Sequence, residues 1–279
     1  MQIKTHYEDG KYFECNIPDE DIEVMPGVPW GNVSQPFTPA FWRLACIANG
    51  AISDTARYHL GTSLKEEVIA CLLGGHGVKG ELGLAAFDYL CKKNIVNEYY
   101  SVEDIELMLR EPLDIDGRFI KYRYPRQKAK YIFVALQYLN SNTPPLEGGK
   151  KLRDWLTAIP GIGYKTASWI ARNWLDATDI AILDIHIHRA GVIAGIFLPN
   201  DNVAKDYLRM ENNFVQLANG IGIPANVLDN QIWNELRTAP ATVRKMLEEK
   251  SVASVDRCGL PASHNSSTNR NYKLFASVQ

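Results

Sequence analysis

The sequence predicts a mostly α-helical protein of two lobes with a cleft between them, preceded by a small N-terminal β-hairpin. Three observations predict it. From residue 39 onward, apolar residues recur at helical spacing in one segment after another. Those segments open on capping residues and close on glycine or proline. Strand-like alternation is confined to the stretch IKTHYEDGKYFECNI at residues 3–17, where it is interrupted by Asp9-Gly10, a strong short-range hairpin signal.

Residues 18–38 contain Pro18, Pro26, Pro29 and Pro36 and read as an extended connection. TPAFWRLACIAN then starts a helix, with Thr38 as N-cap and Pro39 at its first position. SLKEEVIACLLGG carries the capping-box pattern Ser63-x-x-Glu66 and stops at glycines. KGELGLAAFDYLCKK and SVEDIELMLREP follow, the latter capped by Ser101 with Asp104 three residues on. YPRQKAKYIFVALQYLN is amphipathic, with Ile132, Ala135, Leu136 and Leu139 on one stripe. After the loop SNTPPLEGG comes a helical hairpin at about 152–175. IHIHRAGVIAGIF, NVAKDYLRMENNFVQLAN and PANVLDNQIWNELRTA continue the helical pattern, and the polar end reads as a loosely attached tail. The expected organisation is 1–38, hairpin and extended segment; 39–250, two-lobed helical domain; and 251–279, tail.

Composition narrows the function. The chain has 279 residues, is 46% hydrophobic and 22% charged, and carries a formal net charge of −2. That is an ordinary globular balance, long enough to bury a core. A polyanion partner would have to be met by local basic surface or backbone donors, not by bulk charge. The apolar runs are too short and interrupted to span a membrane, and the first residues have no signal-peptide core, so a cytoplasmic protein with no membrane contact is expected; a monomer is expected, though nothing in the sequence fixes the oligomeric state. Cys15, Cys46, Cys71, Cys91 and Cys258 are scattered, with no C-x-x-C pair. They read as reduced thiols, and no metal site is expected.

The chemistry concentrates in LTAIPGIGYKTASWIARNW, residues 156–174. One helix ends near Ile159, because Pro160 cannot continue it. Gly161 supplies a backbone conformation that side chains disfavour, and Gly163 lets the next helix start close to another surface. The first turn of that helix presents free N–H groups and a positive dipole end, an anion site suited to phosphate. Ala167, Ile170, Ala171 and Trp174 form its core stripe; Lys165, Trp169 and Arg172 fall on the opposite face. A helix N-terminus and partial desolvation both push a lysine towards the neutral amine that attacks carbon. On spacing alone, a surface lysine that binds phosphate or water is the favoured reading of Lys165 over a nucleophile. In AILDIHIHRAG, Asp184 stands just before a helix, as an N-cap that can also face a developing cation. His186 and His188 are two ligands without a third, so His186 is expected to contact phosphate and His188 to be structural or to face the partner.

IPGIGYKTASWIARNW followed by AILDIHIHRAG resembles the helix-hairpin-helix, Gly/Pro…Asp superfamily of DNA base-excision glycosylases, in particular its 8-oxoguanine DNA glycosylase/lyase branch. The spacing of nineteen residues from Lys165 to Asp184 matches that branch, and YRYPRQKAKYIFVAL is similar to another of its helices. The scattered cysteines argue against the iron–sulfur members. The resemblance covers about residues 115–200 and implies the two-lobed helical DNA-glycosylase fold. It implies that a modified base, 8-oxoguanine first among the candidates, is flipped out of the stack. Lys165 then attacks C1′, Asp184 stabilises the oxocarbenium-like transition state, and the Schiff base undergoes β-elimination. No cofactor is needed; a structural monovalent cation can sit on the hairpin carbonyls. The expected DNA-binding residues are Gly161, Gly163, Tyr164, His186, Arg126, Lys128 and His76, with Lys121, Arg123 and Lys130 extending the basic patch. Trp169, Phe41 and Trp42 are the candidates for the base pocket.

Two places depart from the family pattern. LGGHG, residues 73–77, stands where members usually carry an Asn or Gln that fills the gap left by the flipped base. Either His76 is the wedge, or the substrate is single-stranded or otherwise unusual. Trp169 is larger than the side chain usual at its position. A monofunctional glycosylase, with Asp184 activating water, and a non-catalytic helix-hairpin-helix DNA-binding protein are the alternatives.

Overall fold

Strands β1 (Gln2–Glu8) and β2 (Lys11–Ile17) pair antiparallel, with Gln2 opposite Ile17 and Glu8 opposite Lys11. That register centres the hairpin on the expected Asp9-Gly10 step. The computed structural model describes residues 1–8, 11–49, 59–75 and 77–257; the turn itself, the proposed wedge His76 and residues 258–279 lie outside them. The Gln2 side chain staples the hairpin to the following segment. Its amide donates to the carbonyls of Pro18 and Gly31, each at 2.9 Å, and its oxygen accepts from the Val33 N–H at 2.8 Å. Residues 18–38 are more than a connection: β3 (Glu23–Met25) and β4 (Val28–Pro29) form a short ribbon, and Val28, Trp30, Val33 and Phe37 are buried.

Eleven helices follow among the described residues. They are α1 (Pro39–Ala48), α2 (Leu64–Leu73), α3 (Gly80–Lys92), α4 (Val102–Arg110), α5 (Pro125–Ser141), α6 (Gly149–Leu156), α7 (Tyr164–Leu175), α8 (Ile185–Ala194), α9 (Tyr207–Ile221), α10 (Ala225–Thr238) and α11 (Pro240–Arg257). Between α4 and α5 lies a hairpin that the sequence reading passed over, β5 (Leu113–Ile115) and β6 (Arg118–Ile120). Helix α11 runs past residue 250, so the boundary expected there for a tail falls inside a helix.

Capping follows the local chemistry. Thr38 Oγ1 accepts from the Phe41 N–H at 3.1 Å. Ser101 and Asp104 form a complete capping box. The box expected at Ser63 is half made: Ser63 Oγ accepts from the Glu66 N–H, but the Glu66 carboxylate turns to the N–H and hydroxyl of Thr62.

Two apolar cores result. The first gathers the N-terminal strands, α1 and α8 to α11; the second gathers α2 to α7. Within the second, α2 is buried from Glu67 to Leu73. Its C-terminal carbonyls are capped from α5 and the segment before it. Lys128 Nζ donates to the carbonyls of Leu72 and Gly74, and the Tyr122 hydroxyl donates to that of Leu73 at 2.6 Å. A cation at a helix C-terminus is favourable, so the Lys128 ammonium, expected on a DNA-facing patch, is engaged in structure. Arg43 serves α9 in the same way, through the carbonyl of Ile221.

The helical hairpin is α6, a turn at 157–163, and α7. Ile159 and Ile162 bury their side chains in the turn, and the Ile162 N–H donates to the Ile159 carbonyl at 3.0 Å. Gly161 has φ +91°, and a β-carbon there would collide with the Tyr131 ring of α5. Gly163 differs: its φ is −89° and a β-carbon would meet nothing within 4 Å. The close approach expected of Gly163 is therefore not to another part of the described protein. Gly161→Ala should lower stability by about 2 kcal/mol, from left-handed strain plus overpacking. Gly163→Ala should change it by less than about 0.5 kcal/mol. Denaturant melts of the two variants check this, and equal losses would refute the distinction.

Candidate active site

The two expected catalytic residues stand at the N-termini of α7 and α8. Tyr164 and Lys165 are the first two residues of α7; Ile185 and His186 are the first two of α8. The Lys165 charge acts on the His186 imidazole, as do Asp184, Arg189 and Arg237. Lys165 is exposed. The desolvation expected around its amine is thus not supplied by the described protein, and would have to come from a bound partner.

Asp184 is the N-cap of α8. Its Oδ1 accepts from the backbone N–H groups of His186 at 2.8 Å and Ile187 at 3.0 Å. That fixes the carboxylate's orientation while using one oxygen. Its charge also reaches Asp229 on α10. Burial pulls His186 below the usual imidazole range; Asp184 opposes this, and Arg189, Lys165 and Arg237 reinforce it. A neutral ring follows at neutral pH, and its buried Nδ1 has no hydrogen-bond partner among the described residues.

The segment leading to Asp184, residues 180–183, is neither helix nor strand. Its backbone donors still need acceptors. Three side chains provide them. Glu211 Oε1 accepts from the Ala181 N–H at 3.3 Å, and Asp229 Oδ2 from the Ile182 N–H at 3.2 Å. The Tyr207 hydroxyl accepts from the Leu183 N–H at 3.3 Å and donates to the Ala181 carbonyl at 2.8 Å. The same carboxylates bind the helical hairpin. Glu211 pairs with Arg153 of α6 and accepts from Ser168 Oγ at 3.2 Å; Asp229 Oδ1 pairs with Arg172 of α7 at 2.9 Å.

These contacts correct one expected face of α7. Ala167, Ile170 and Ala171 are core as expected, but Arg172 is buried against Asp229 instead of pointing outward with Lys165. Trp169 is half-buried, and its ring lies against Gly74 at the end of α2. Trp42 is fully buried and stacked on Phe37, with centroids 5.4 Å apart, which puts it in the first core and not on a pocket wall. Phe41 packs beside it, half-buried. His186 and His188 lie on a helix, where residues two apart diverge; His188 stacks on Phe197. Tyr164 stacks on Tyr207 at 5.5 Å. Arg126 and Lys130 are exposed along α5 and line a shallow cleft with Gln127 and Tyr131, the ring over which Gly161 turns.

Sequence reasoning missed Tyr207, Glu211 and Asp229. It also missed Trp233 and Arg237 of α10. Trp233 is 39% exposed and carries the Arg237 guanidinium 4.5 Å from its ring centre. Tyr164, Ile185 and Trp233 are thus exposed apolar groups around the charged cluster. A Trp and an Arg four residues apart on a predicted helix were the available signal.

Comparison with known proteins gives the family. A family model described as 8-oxoguanine DNA glycosylase matches residues 55–223, more than half of the chain. The 8-oxoguanine DNA glycosylase/AP lyase of Thermoplasma acidophilum is 32% identical over 144 residues, 49% of this chain and 64% of that protein. Its namesake from Thermoplasma volcanium is 33% identical over 133 residues, 45% of this chain and 60% of that protein. The chain thus spans about three-fifths of the length of these relatives. Among solved structures, the 8-oxoguanine glycosylase/lyase of Methanocaldococcus jannaschii in complex with DNA containing 8-oxoguanine superposes with a TM-score of 0.48. It is 23% identical and covers 71% of this chain and 89% of its own.

Asp229 gives a signed test of the buried network. Burial pushes its carboxyl up from 3.8 to about 6; the Arg172 guanidinium and the Ile182 N–H oppose this, and Asp184 adds to it. A carboxylate whose folded value exceeds its unfolded value binds its proton more tightly when folded. Its contribution therefore favours the folded state increasingly as pH falls through 6 towards 3.8, and fades as pH rises through 6. Relative to Asp229→Asn, the wild type should gain about 1 kcal/mol between pH 7 and pH 5. Urea melts at the two pH values measure it. Drift in the opposite direction would mean that Arg172 holds the carboxyl down.

Proposed function

Because the chain belongs to the 8-oxoguanine DNA glycosylase family, we propose that it excises an oxidised or modified purine, 8-oxoguanine first among the candidates, and nicks the resulting abasic site. The observation that carries this is the placing of Lys165 and Asp184 at the N-termini of two helices, with the Lys165 charge acting on His186, two residues after Asp184. The curated relatives, both named as glycosylase/AP lyases, support the bifunctional reading.

Lys165 acts as the nucleophile. Its amine attacks C1′, the N-glycosidic bond breaks with its electron pair on the base, and the base leaves with the proton that the amine gives up through Asp184. Asp184 is already oriented by its two backbone bonds. Its carboxylate faces the positive charge that develops on the sugar and takes the lysine's proton. Opening of the sugar gives a Schiff base on Lys165; loss of a C2′ proton then expels the 3′ phosphate. The modified base is flipped out towards the exposed Trp233 ring, whose face away from Arg237 can stack on it.

DNA phosphate is held by the α7 N-terminus and the hairpin turn, with Arg126 and Lys130 extending the basic surface along α5. The empty space over Gly163 suits a phosphate placed against the peptide N–H groups. His186, neutral with its Nδ1 buried, can donate a further bond to the backbone through Nε2. The hairpin turn offers peptide carbonyls and no carboxylate, a donor set that suits a structural monovalent cation; no step depends on it.

Borohydride trapping tests the reading. With the wild type, a covalent complex should form on DNA carrying 8-oxoguanine or an abasic site, and not on undamaged DNA. Lys165→Ala should abolish the complex and leave DNA affinity within about twofold. Asp184→Asn keeps the α8 cap, so stability should hold within about 0.5 kcal/mol, while excision slows by about a hundredfold or more. Trapping on the abasic site alone would discard 8-oxoguanine as the base. No trapping with DNA binding intact would refute the lyase.

A further inference from the structure

We propose that Glu211, Asp229 and Tyr207 are positioning residues for the reaction, forming one clamp that sets Asp184 relative to Lys165. The inference rests on the assignment of those two residues as the reacting pair. It goes further by naming what holds them in place.

Each carboxylate divides itself between the two bodies that must be aligned. Glu211 binds the Ala181 N–H with Oε1 and Arg153 with Oε2, and Ser168 of α7 shares Oε1. Asp229 binds Arg172 of α7 with Oδ1 and the Ile182 N–H with Oδ2. Tyr207 completes the set at Leu183 and stacks on Tyr164, the residue before Lys165. Three consecutive peptide N–H groups, the last of them one residue before Asp184, are thus gripped by side chains from α9 and α10. Ser168 and Arg172 lie three and seven residues after Lys165, within its own helix.

A purely structural need would be met more cheaply. An extended segment can satisfy its donors by pairing with a strand or with water. Here it uses ionised groups: Glu211 is 2% exposed and Asp229 is 3% exposed. Burying charge is costly even when it is paired. What this arrangement supplies, and a strand would not, is direct attachment of the Asp184 segment to the Lys165 helix. Reaction rates are sensitive to displacements of that pair on the ångström scale.

The test uses the full chain, with excess enzyme over DNA carrying 8-oxoguanine in single-turnover excision. Tyr207→Phe keeps the stacked ring and removes only the hydroxyl; Glu211→Gln keeps an oxygen for the Ala181 N–H and weakens the tie to Arg153. The rate constant should fall about tenfold to a hundredfold in each, with reaction amplitude and DNA affinity within twofold of wild type. Amplitude counts folded, competent enzyme, whereas the rate constant reports alignment. Lower amplitude at an unchanged rate constant would overturn the proposal, as would weaker affinity alone or no change at all. If Glu211→Gln does not fold, Tyr207→Phe decides by itself. Wild type that traps through Lys165 alongside undiminished variants would sink only the clamp; wild type that does not trap would sink the assignment beneath it.

Discussion

Two buried arginine–carboxylate pairs join the halves of this protein: Arg153 with Glu211, and Arg172 with Asp229. Each arginine comes from the helical hairpin of the second core, and each carboxylate from the first. Burying an ion costs on the order of several kcal/mol, which is tolerable only when its lone pairs and protons find partners. They do here. Arg172 also binds the Asn173 side-chain oxygen, through Nε at 3.2 Å and Nη2 at 3.1 Å. Asn173 in turn donates to buried Glu67 at 2.7 Å, and Glu67 accepts the N–H groups of Leu60 and Gly61. A continuous polar path therefore runs from the start of α2, through α7, to the segment before Asp184. Removing any one member strands charge in an apolar interior, so these helices have little freedom to repack independently.

That constraint explains the irregular backbone before α8. Residues 180–183 have the apolar composition of a buried strand, yet no neighbouring strand is present among the described residues. The carboxylates of α9 and α10 replace the missing ladder. A segment so held ends abruptly at an N-cap, and Asp184 takes that position because its side chain satisfies two of the first helical donors. The cap and the proposed catalytic carboxylate are one group serving both needs, which ties the start of α8 to the chemistry.

Much of this was legible in the sequence, and the limit has a physical cause. The hairpin turn was readable because Pro160 and Gly161 act through their own backbone. Asp184 was readable because capping is a contact between near neighbours. The β5–β6 hairpin was also marked, by Asp116-Gly117 with both residues in the left-handed region, but its three-residue strands are too short for alternation to register. Arg172 was misplaced for a different reason. Helical spacing assigns faces and does not say what covers them, and the face opposite the second core proved to be the seam with the first. Glu211 and Asp229 lie on the apolar stripes of their helices, beside Met210 and Phe214 and beside Leu228 and Ile232. A charge on such a stripe signals a buried partner, but the partners, Arg153 and Arg172, are 58 and 57 residues away in sequence.

The distribution of cations follows the same logic. A protein of net charge −2 cannot attract a polyanion by bulk charge, and several of its basic groups are already committed. Lys128 and Arg43 cap helix ends, and Arg153 and Arg172 hold the lobes together. Lys165, Arg189 and Arg237 instead act together on His186 at the start of α8, where the helix dipole adds to their positive charge. In the proposed reading, the carboxylate of Asp184 is the oriented anion that a flipped nucleotide meets within that cluster. Developing positive charge on its sugar would then be surrounded by fixed cations and a single oriented anion. Only the anion's placement could favour that charge over the repulsion of its neighbours. The requirement on Asp184 is therefore positional before it is chemical, which is why the buried contacts that fix its backbone matter as much as its carboxylate.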